Sequence, residues 1–145
     1  MSLRMESELD VPLKNLLCLG NEMNLAKEYL PFMDEGRMVK EIRRATKVGY
    51  ALMDVPLISK RECYYYGVGY NLLHEYGSIP LVSKTIHSDP VFLKKLGIEV
   101  PASSKHVKLD YKYYVFNITP LGPNKCYVKI VLNVDYKVNF VPKSI

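Results

Sequence analysis

The chain has 145 residues, 48% of them hydrophobic and 24% charged, and a formal net charge of +5. That length suits one domain burying about two thirds of its unfolded surface, and the composition excludes a disordered or collagen-like chain. The surplus of basic residues is mild, and its densest run, Arg37, Lys40, Arg43, Arg44 and Lys47, is diluted by Asp34, Glu35 and Glu41, so it reads as a solvated mixed-charge face and not as a nucleic-acid footprint.

Met1 to Met5 read as a leader, and residues 1–9 are expected to lie outside the fold. Asp10 is placed to cap a helix with Pro12 in its first turn and Leu13, Leu16 and Leu17 as its apolar stripe; Gly20 weakens it. A short helical piece from Asn24 to Tyr29 should stop ahead of Pro31, because the residue before a proline is pushed toward extended geometry. Residues 37–46 show neither period cleanly. From Lys47 the pattern becomes β. "KVGYALMDV" sets Val48, Tyr50 and Leu52 on one face, and "RECYYYGVGYNLL" sets Tyr64, Tyr66 and Val68 opposite Cys63 and Tyr65.

"SIPLVSKTIHS" is a strand whose Pro80 argues for an edge or a bulge. "SDPVFLKKLG" carries full helix punctuation: Ser88 or Asp89 as cap, Pro90 in the first turn, Lys94 and Lys95 near the end, Gly97 as stop. The two longest strands follow, joined by a turn over residues 120–124. In the last one Cys126, Val128, Ile130, Leu132 and Val134 alternate with Tyr127, Lys129, Val131, Asn133 and Asp135, which makes one face apolar and the other largely polar. An antiparallel sheet with one wet face is expected, packed on helices.

Chemistry-bearing motifs are few. There is no phosphate-binding glycine loop, no nucleophile elbow and no His-Glu-x-x-His. Cys18, Cys63 and Cys126 lack metal-ligand spacing and read as small buried hydrophobes, so no metal and no cofactor are expected. His74, His87 and His106 read as turn or surface residues, and no catalytic residue is assigned. Arg61 and Glu62 stand together at a strand entrance. As neighbours on a strand they point to opposite faces, and one charge is expected to close the strand end by bonding a loop carbonyl or a carboxylate. The tyrosines fit either the wall of a partly polar cavity or the ordinary liking of aromatics for strands.

The order of "PLKNLLCLGNEMNLAKEYLPF", "KVGYALMDVPLISKRECYYYGVGYNLL" and "FNITPLGPNKCYVKIVLNVDYKVNFVPKSI" resembles a START domain, the StAR-related lipid-transfer module. The matched features are Leu30-Pro31-Phe32, the entrance Pro56, Ser59, Arg61 and Glu62, and the late Asp135, Lys137 and Pro142. The resemblance covers most of residues 10–145. It implies an α+β helix-grip fold in which a curved antiparallel sheet, flanked by helices, wraps a long closing helix around a hydrophobic tunnel. It also settles residues 37–46 as strand. The family's first helix and opening strands would precede residue 10 and the closing helix would begin near Pro142, so a single domain over 10–145, incomplete at both ends, is expected, its exposed sheet face self-associating.

The function so implied is non-catalytic binding of a lipid or sterol-like ligand, extended to transfer between membranes, by a cytoplasmic protein that touches membrane surfaces transiently. The expected wall is Tyr64, Tyr66, Tyr113, Val115, Val128, Ile130 and Leu132, with Arg61 at the headgroup. A protein-interaction module with a filled core and a small helix-grip enzyme stay open as alternatives.

Overall fold

The computed structural model describes residues 1–135 and 137. Pro142 and the closing helix expected near it lie outside the described residues. Ser2–Leu9 forms β1, followed by helix α1 (Leu13–Asn21), a single 3₁₀ turn (Met23–Leu25) and α2 (Ala26–Tyr29). The hairpin β2 (Met33–Arg43) and β3 (Thr46–Met53) leads to β4 (Arg61–Gly69), the short α3 (Leu73–Tyr76), β5 (Ile79–Thr85), α4 (Pro90–Leu96), the two-residue β6 (Val107–Lys108), and the long hairpin β7 (Asp110–Gly122) and β8 (Lys125–Asp135). Among the described residues eight strands form one sheet in the order β1-β8-β7-β5-β4-β3-β2, all antiparallel, with β6 attached parallel to β4 at its entrance. The α+β class with a sheet flanked by helices is as expected. Among the described residues no helix is long and apolar enough to cross a membrane.

The opening segment corrects one expectation. Ser2–Leu9 lies within the fold and not outside it: β1 pairs with β8 along its whole length, from Ser2 opposite Asn133 to Leu9 opposite Cys126. Its alternation explains this. Leu3, Met5 and Leu9 continue the apolar face of β8, while on the other face Glu6 accepts from Tyr127 at 2.5 Å and Glu8 pairs with Lys125 at 2.5 Å. A second correction concerns Asp10: the N-cap position of α1 is Pro12, and no side chain caps it. Of residues 37–46, expected from the resemblance to be strand, all but Arg44 and Ala45, which make the hairpin turn, are strand, and two register shifts against β3, between Met38 and Lys40 and between Glu41 and Arg43, account for their lack of a clean period. Pro80 sits in an interior strand and not at an edge. Its carbonyl accepts from Tyr70 N, so its nitrogen also faces the β4 side, at a level where β4 has already ended.

The two sheet faces are covered by different helices. On one, Leu16 of α1 packs with Ile118, Cys126 and Val128, and the chain from α1 to α2 crosses from one sheet edge to the other. The 3₁₀ turn meets β2 so closely that a Cβ on Gly36 would lie 2.3 Å from the Met23 carbonyl oxygen. On the other face α4 packs Leu93, with Phe92 and Leu96, onto Val48, Tyr50, Leu52 and Tyr64. This helix is built as its punctuation predicts: Asp89 accepts from Phe92 N at 2.9 Å, Pro90 is the first helical residue, and Gly97 ends it at φ 65°.

His87, just after β5, is not the surface residue its position suggested. Its side chain is 4% exposed, with Nε2 2.8 Å from Asp110 Oδ1, and Asp110 also pairs with Lys137. Burial lowers the imidazole pKa despite the carboxylate beside it. The unfolded chain, with an ordinary histidine value of about 6.5, then binds more protons than the folded one below that pH. The contribution of neutral, buried His87 is therefore complete above about pH 6.5 and lost as the pH falls from there toward the lowered folded value. Urea-unfolding midpoints should decline between pH 7 and pH 5.5 in the native chain and stay flatter over that interval in His87→Gln; parallel profiles would contradict the assignment.

Candidate functional site

Directly opposed residues of an antiparallel pair share a face, so the ladder sorts the expected wall residues without ambiguity. Val128, Ile130 and Leu132 lie on the α1 face together with Arg61. Tyr64 and Tyr66 lie on the other face, beneath α4: Tyr64 packs on Tyr50 with ring centroids 5.0 Å apart, and Tyr66 meets Phe92 edge-on at 5.2 Å. Tyr113 and Val115 are on that face too, opposite Asn133 and Val131. The eight residues therefore do not form one wall. The cause in β7 is a bulge between Tyr111 and Tyr113, which puts both Tyr111 and Tyr114 on the α1 face and shifts the alternation by one residue.

In place of Tyr64, Tyr66, Tyr113 and Val115, the α1 face carries Tyr65, Ser83, Thr85, Tyr111 and Tyr114. It changes character along the strands. Beneath α1 the row Ile79, Ile118 and Val128 is apolar, and the next, Leu81, Phe116 and Ile130, is apolar as well. Then come Ser83, Tyr114 and Leu132, and beyond them Tyr65, Thr85 and Tyr111. Ser83 Oγ and Tyr111 OH are 3.1 Å apart, and Thr85 Oγ1 both donates to the Tyr111 carbonyl and accepts from its N–H, joining β5 to β7 at the bulge. Past this band Ala51, Cys63, Leu109 and Val134 close the far end as a buried cluster. Phe116, Ile130, Leu132 and the three tyrosines are only half-buried.

Burial raises the phenol pKa of Tyr65, Tyr111 and Tyr114 and pushes the Cys63 thiol up to about 12. At neutral pH all four are protonated donors, and Cys63 is held as a thiol and not as a nucleophilic thiolate. Among the described residues no group of three His, Cys, Asp or Glu could hold a metal ion.

The charged pair divides as strand geometry requires. Arg61, 5% exposed, donates from Nη1 to the Ser59 carbonyl at 2.5 Å and the Ser59 hydroxyl at 2.6 Å, closing the strand entrance on a loop carbonyl. Glu62, also buried, faces α4, where it accepts from Tyr50 OH at 2.9 Å and from Lys108 Nζ at 2.5 Å. Burial alone would raise its pKa, yet these donors hold it below the ordinary value. The Lys108 ammonium also lies 5.2 Å from the Tyr64 ring centroid, and the Arg37 guanidinium 4.4 Å from that of Tyr50. Glu62 and Lys108 therefore fix the α4 face, and on the α1 face the one buried charge among the described residues, Arg61, is held at the strand entrance, leaving the rest of that face apolar with neutral hydroxyls.

Tyr65 lies across β3 because its partner there is Gly49: a Cβ on Gly49 would sit 2.5 Å from Tyr65 Cζ. Gly49→Ala should cost about 1–2 kcal/mol in urea unfolding, by forcing the ring aside, and much less when Tyr65 is already alanine. Equal costs in both backgrounds would show that the ring does not occupy that space.

No protein-family model matches the sequence, and no curated protein matches it. Solved structures do. Human STARD10 superposes with a TM-score of 0.77 at 16% identity, over 96% of this chain and 53% of that one. A STAR-related lipid transfer protein fragment from Xanthomonas axonopodis gives 0.72 at 12% identity, over 92% and 68%. Human StAR-related lipid transfer protein 5 gives 0.71 at 14%, over 98% and 64%. The chain thus spans 53% to 68% of the length of these structures, and at such identities the likeness is one of fold. The chain has the START-like, helix-grip α+β fold.

Proposed function

We propose that this chain is a non-catalytic lipid-binding domain, that its ligand lies on the sheet face beneath α1, and that it carries the ligand between membranes. The observation carrying this reading is the α1 face itself: beyond the row buried under α1, an apolar row and a band of neutral hydroxyls stay half-buried on a sheet whose other face is committed to α4 and the Glu62–Lys108 ion pair. The fold shared with proteins named for lipid transfer supports it. Each CH₂ that leaves water for such a face gains about 0.8 kcal/mol, so a long-chain ligand is retained by area alone. The groups present on the face are protonated at neutral pH, which favours binding over covalent chemistry. In the absence of ligand, exposed Leu3 and Met5 at the β1 edge of this face are where two copies would associate.

Two exposed side chains give the domain a place to meet a bilayer. Phe32, at φ 64°, and Leu57, at φ 71°, hold left-handed backbone that large L-residues rarely adopt, and both side chains face solvent. Their loops are joined by Asp54 N donating to the Phe32 carbonyl and by Lys60 pairing with Asp34 and Asp54. Single apolar side chains protruding from braced loops suit a fluid bilayer, which needs no matching pocket.

The test is native mass spectrometry after incubation with phosphatidylcholine vesicles containing diacylglycerol and cholesterol. A discrete one-to-one lipid adduct is expected. Leu57→Asp should slow loading from vesicles severalfold without changing the final occupancy. Absence of any adduct would replace this reading with that of an interaction module whose sheet face is ordinary core.

A further inference from the structure

The polar band on the α1 face is a built feature, and its chemistry selects among lipids. Its hydroxyls come from three neighbouring strands: Tyr65 on β4, Ser83 and Thr85 on β5, Tyr111 and Tyr114 on β7. Thr85 is spent on the Tyr111 backbone, and Ser83 and Tyr111 bond each other. Among the described residues the hydroxyls of Tyr65 and Tyr114 bond no protein group. Next to Ser83 on β4 stands Gly67, where an added Cβ would meet only ordinary contacts, 3.6 Å from Ser83 Cβ and 3.9 Å from the Val82 carbonyl oxygen. The sheet therefore has a side-chain-free patch beside a hydrogen-bonding pair, with the solvent-accessible phenol of Tyr114 on β7 and that of Tyr65 lying over Gly49 on β3.

The cation opposite Gly67 and the one at the far end of β4 are both engaged. Lys47, opposite Gly67, donates to Asn21 Oδ1 at 2.5 Å, and Arg61 is held by Ser59. What faces the patch is a set of neutral hydroxyls. From Ile118 under α1 to Tyr114 is four residues of strand, roughly 14 Å at about 3.4 Å per residue. α1 covers the Ile118 end of that stretch, and the half-buried Phe116, Ile130 and Leu132 are the apolar surface an apolar body would meet between α1 and the band.

We propose that the patch over Gly67, bordered by Ser83, Tyr65, Tyr111 and Tyr114, binds the head of an uncharged amphiphile through its hydroxyl or carbonyl oxygen, with the apolar body running toward Ile118 and α1. This rests on the lipid-binding reading above and narrows it to neutral lipids. Phenol and serine hydroxyls can donate to either oxygen and can accept from a hydroxyl, whereas a carboxylate or phosphate would enter a half-buried site where, among the described residues, Lys47 and Arg61 are already engaged and do not offset its desolvation.

The experiment is displacement of Nile red from the full chain by 1-dodecanol, methyl dodecanoate and dodecanoic acid at pH 8, where the acid is ionised. The alcohol or the ester should compete about tenfold better than the acid; the alcohol in first place assigns a hydroxyl head, the ester a carbonyl. Gly67→Val fills the patch with a residue that favours strands, and should weaken the neutral competitors tenfold or more with no loss of thermal stability. Tyr111→Phe and Ser83→Ala should each narrow the preference over the acid by about 3- to 10-fold, while Tyr113→Phe, on the opposite face, should leave it unchanged. If Nile red binds but the three competitors are equal, or the acid is best, or Gly67→Val changes nothing, the neutral-head proposal is overturned and lipid binding stands. If neither dye nor competitor binds, the lipid-binding reading fails and the proposal with it.

Discussion

The packing of α4 on β3 and β4 decides the rest of the molecule. Phe92, Leu93 and Leu96 need an apolar surface, and Val48, Tyr50, Leu52, Tyr64 and Tyr66 supply it. Once those even-numbered residues of β3 and β4 are covered, strand alternation sends Gly49, Ala51, Cys63, Tyr65, Gly67 and Gly69 to the opposite side. The antiparallel ladder carries that choice across β5, β7 and β8 to β1. One short helix, fixed by Asp89 and Gly97 at its ends, thereby determines which residues of a seven-strand path face α1.

The buried charges reinforce the same division. Glu62 is stabilised by Tyr50 and Lys108, and breaking either contact would leave a carboxylate in a poorly hydrated place. Because these groups lie on the α4 side, that face cannot open without exposing or orphaning them. The α1 face has the reverse character. Away from Arg61 at the strand entrance, its half-buried polar groups are hydroxyls that can exchange a protein partner for water or ligand at little cost, and two of its β4 positions are glycine. A rigid face backs an adaptable one, as a carrier of apolar cargo requires.

Much of the architecture was legible in the sequence. The alternation of β8 is strict enough that Val128, Ile130 and Leu132 were assigned to one face and found there, and the caps of α4 were read correctly from Asp89 to Gly97. The tyrosines were not legible. Alternation says that Tyr64 and Tyr65 face opposite ways, but not which of them faces α1, and the bulge after Tyr111 reverses the phase in β7 with no marker in the residues. The sequence does carry one signal for the choice: the apolar residues of the α4 segment must cover some sheet face, and Tyr64 and Tyr66 offer an aromatic one. His87 and β1 were missed for a simpler reason. Burial of a turn histidine and pairing of the first residues depend on contacts with Asp110 and β8, far away in the chain.

The central claim is that the ligand face is the one beneath α1, and methyl-resolved NMR during a Nile red titration tests it directly. The methyl signals of the half-buried Leu81, Ile130 and Leu132 should move with the dye, while those of Val48, Ile86 and Leu93, locked under α4, stay in place. Movement confined to the second set would show that the α4 face takes the ligand and would contradict the account.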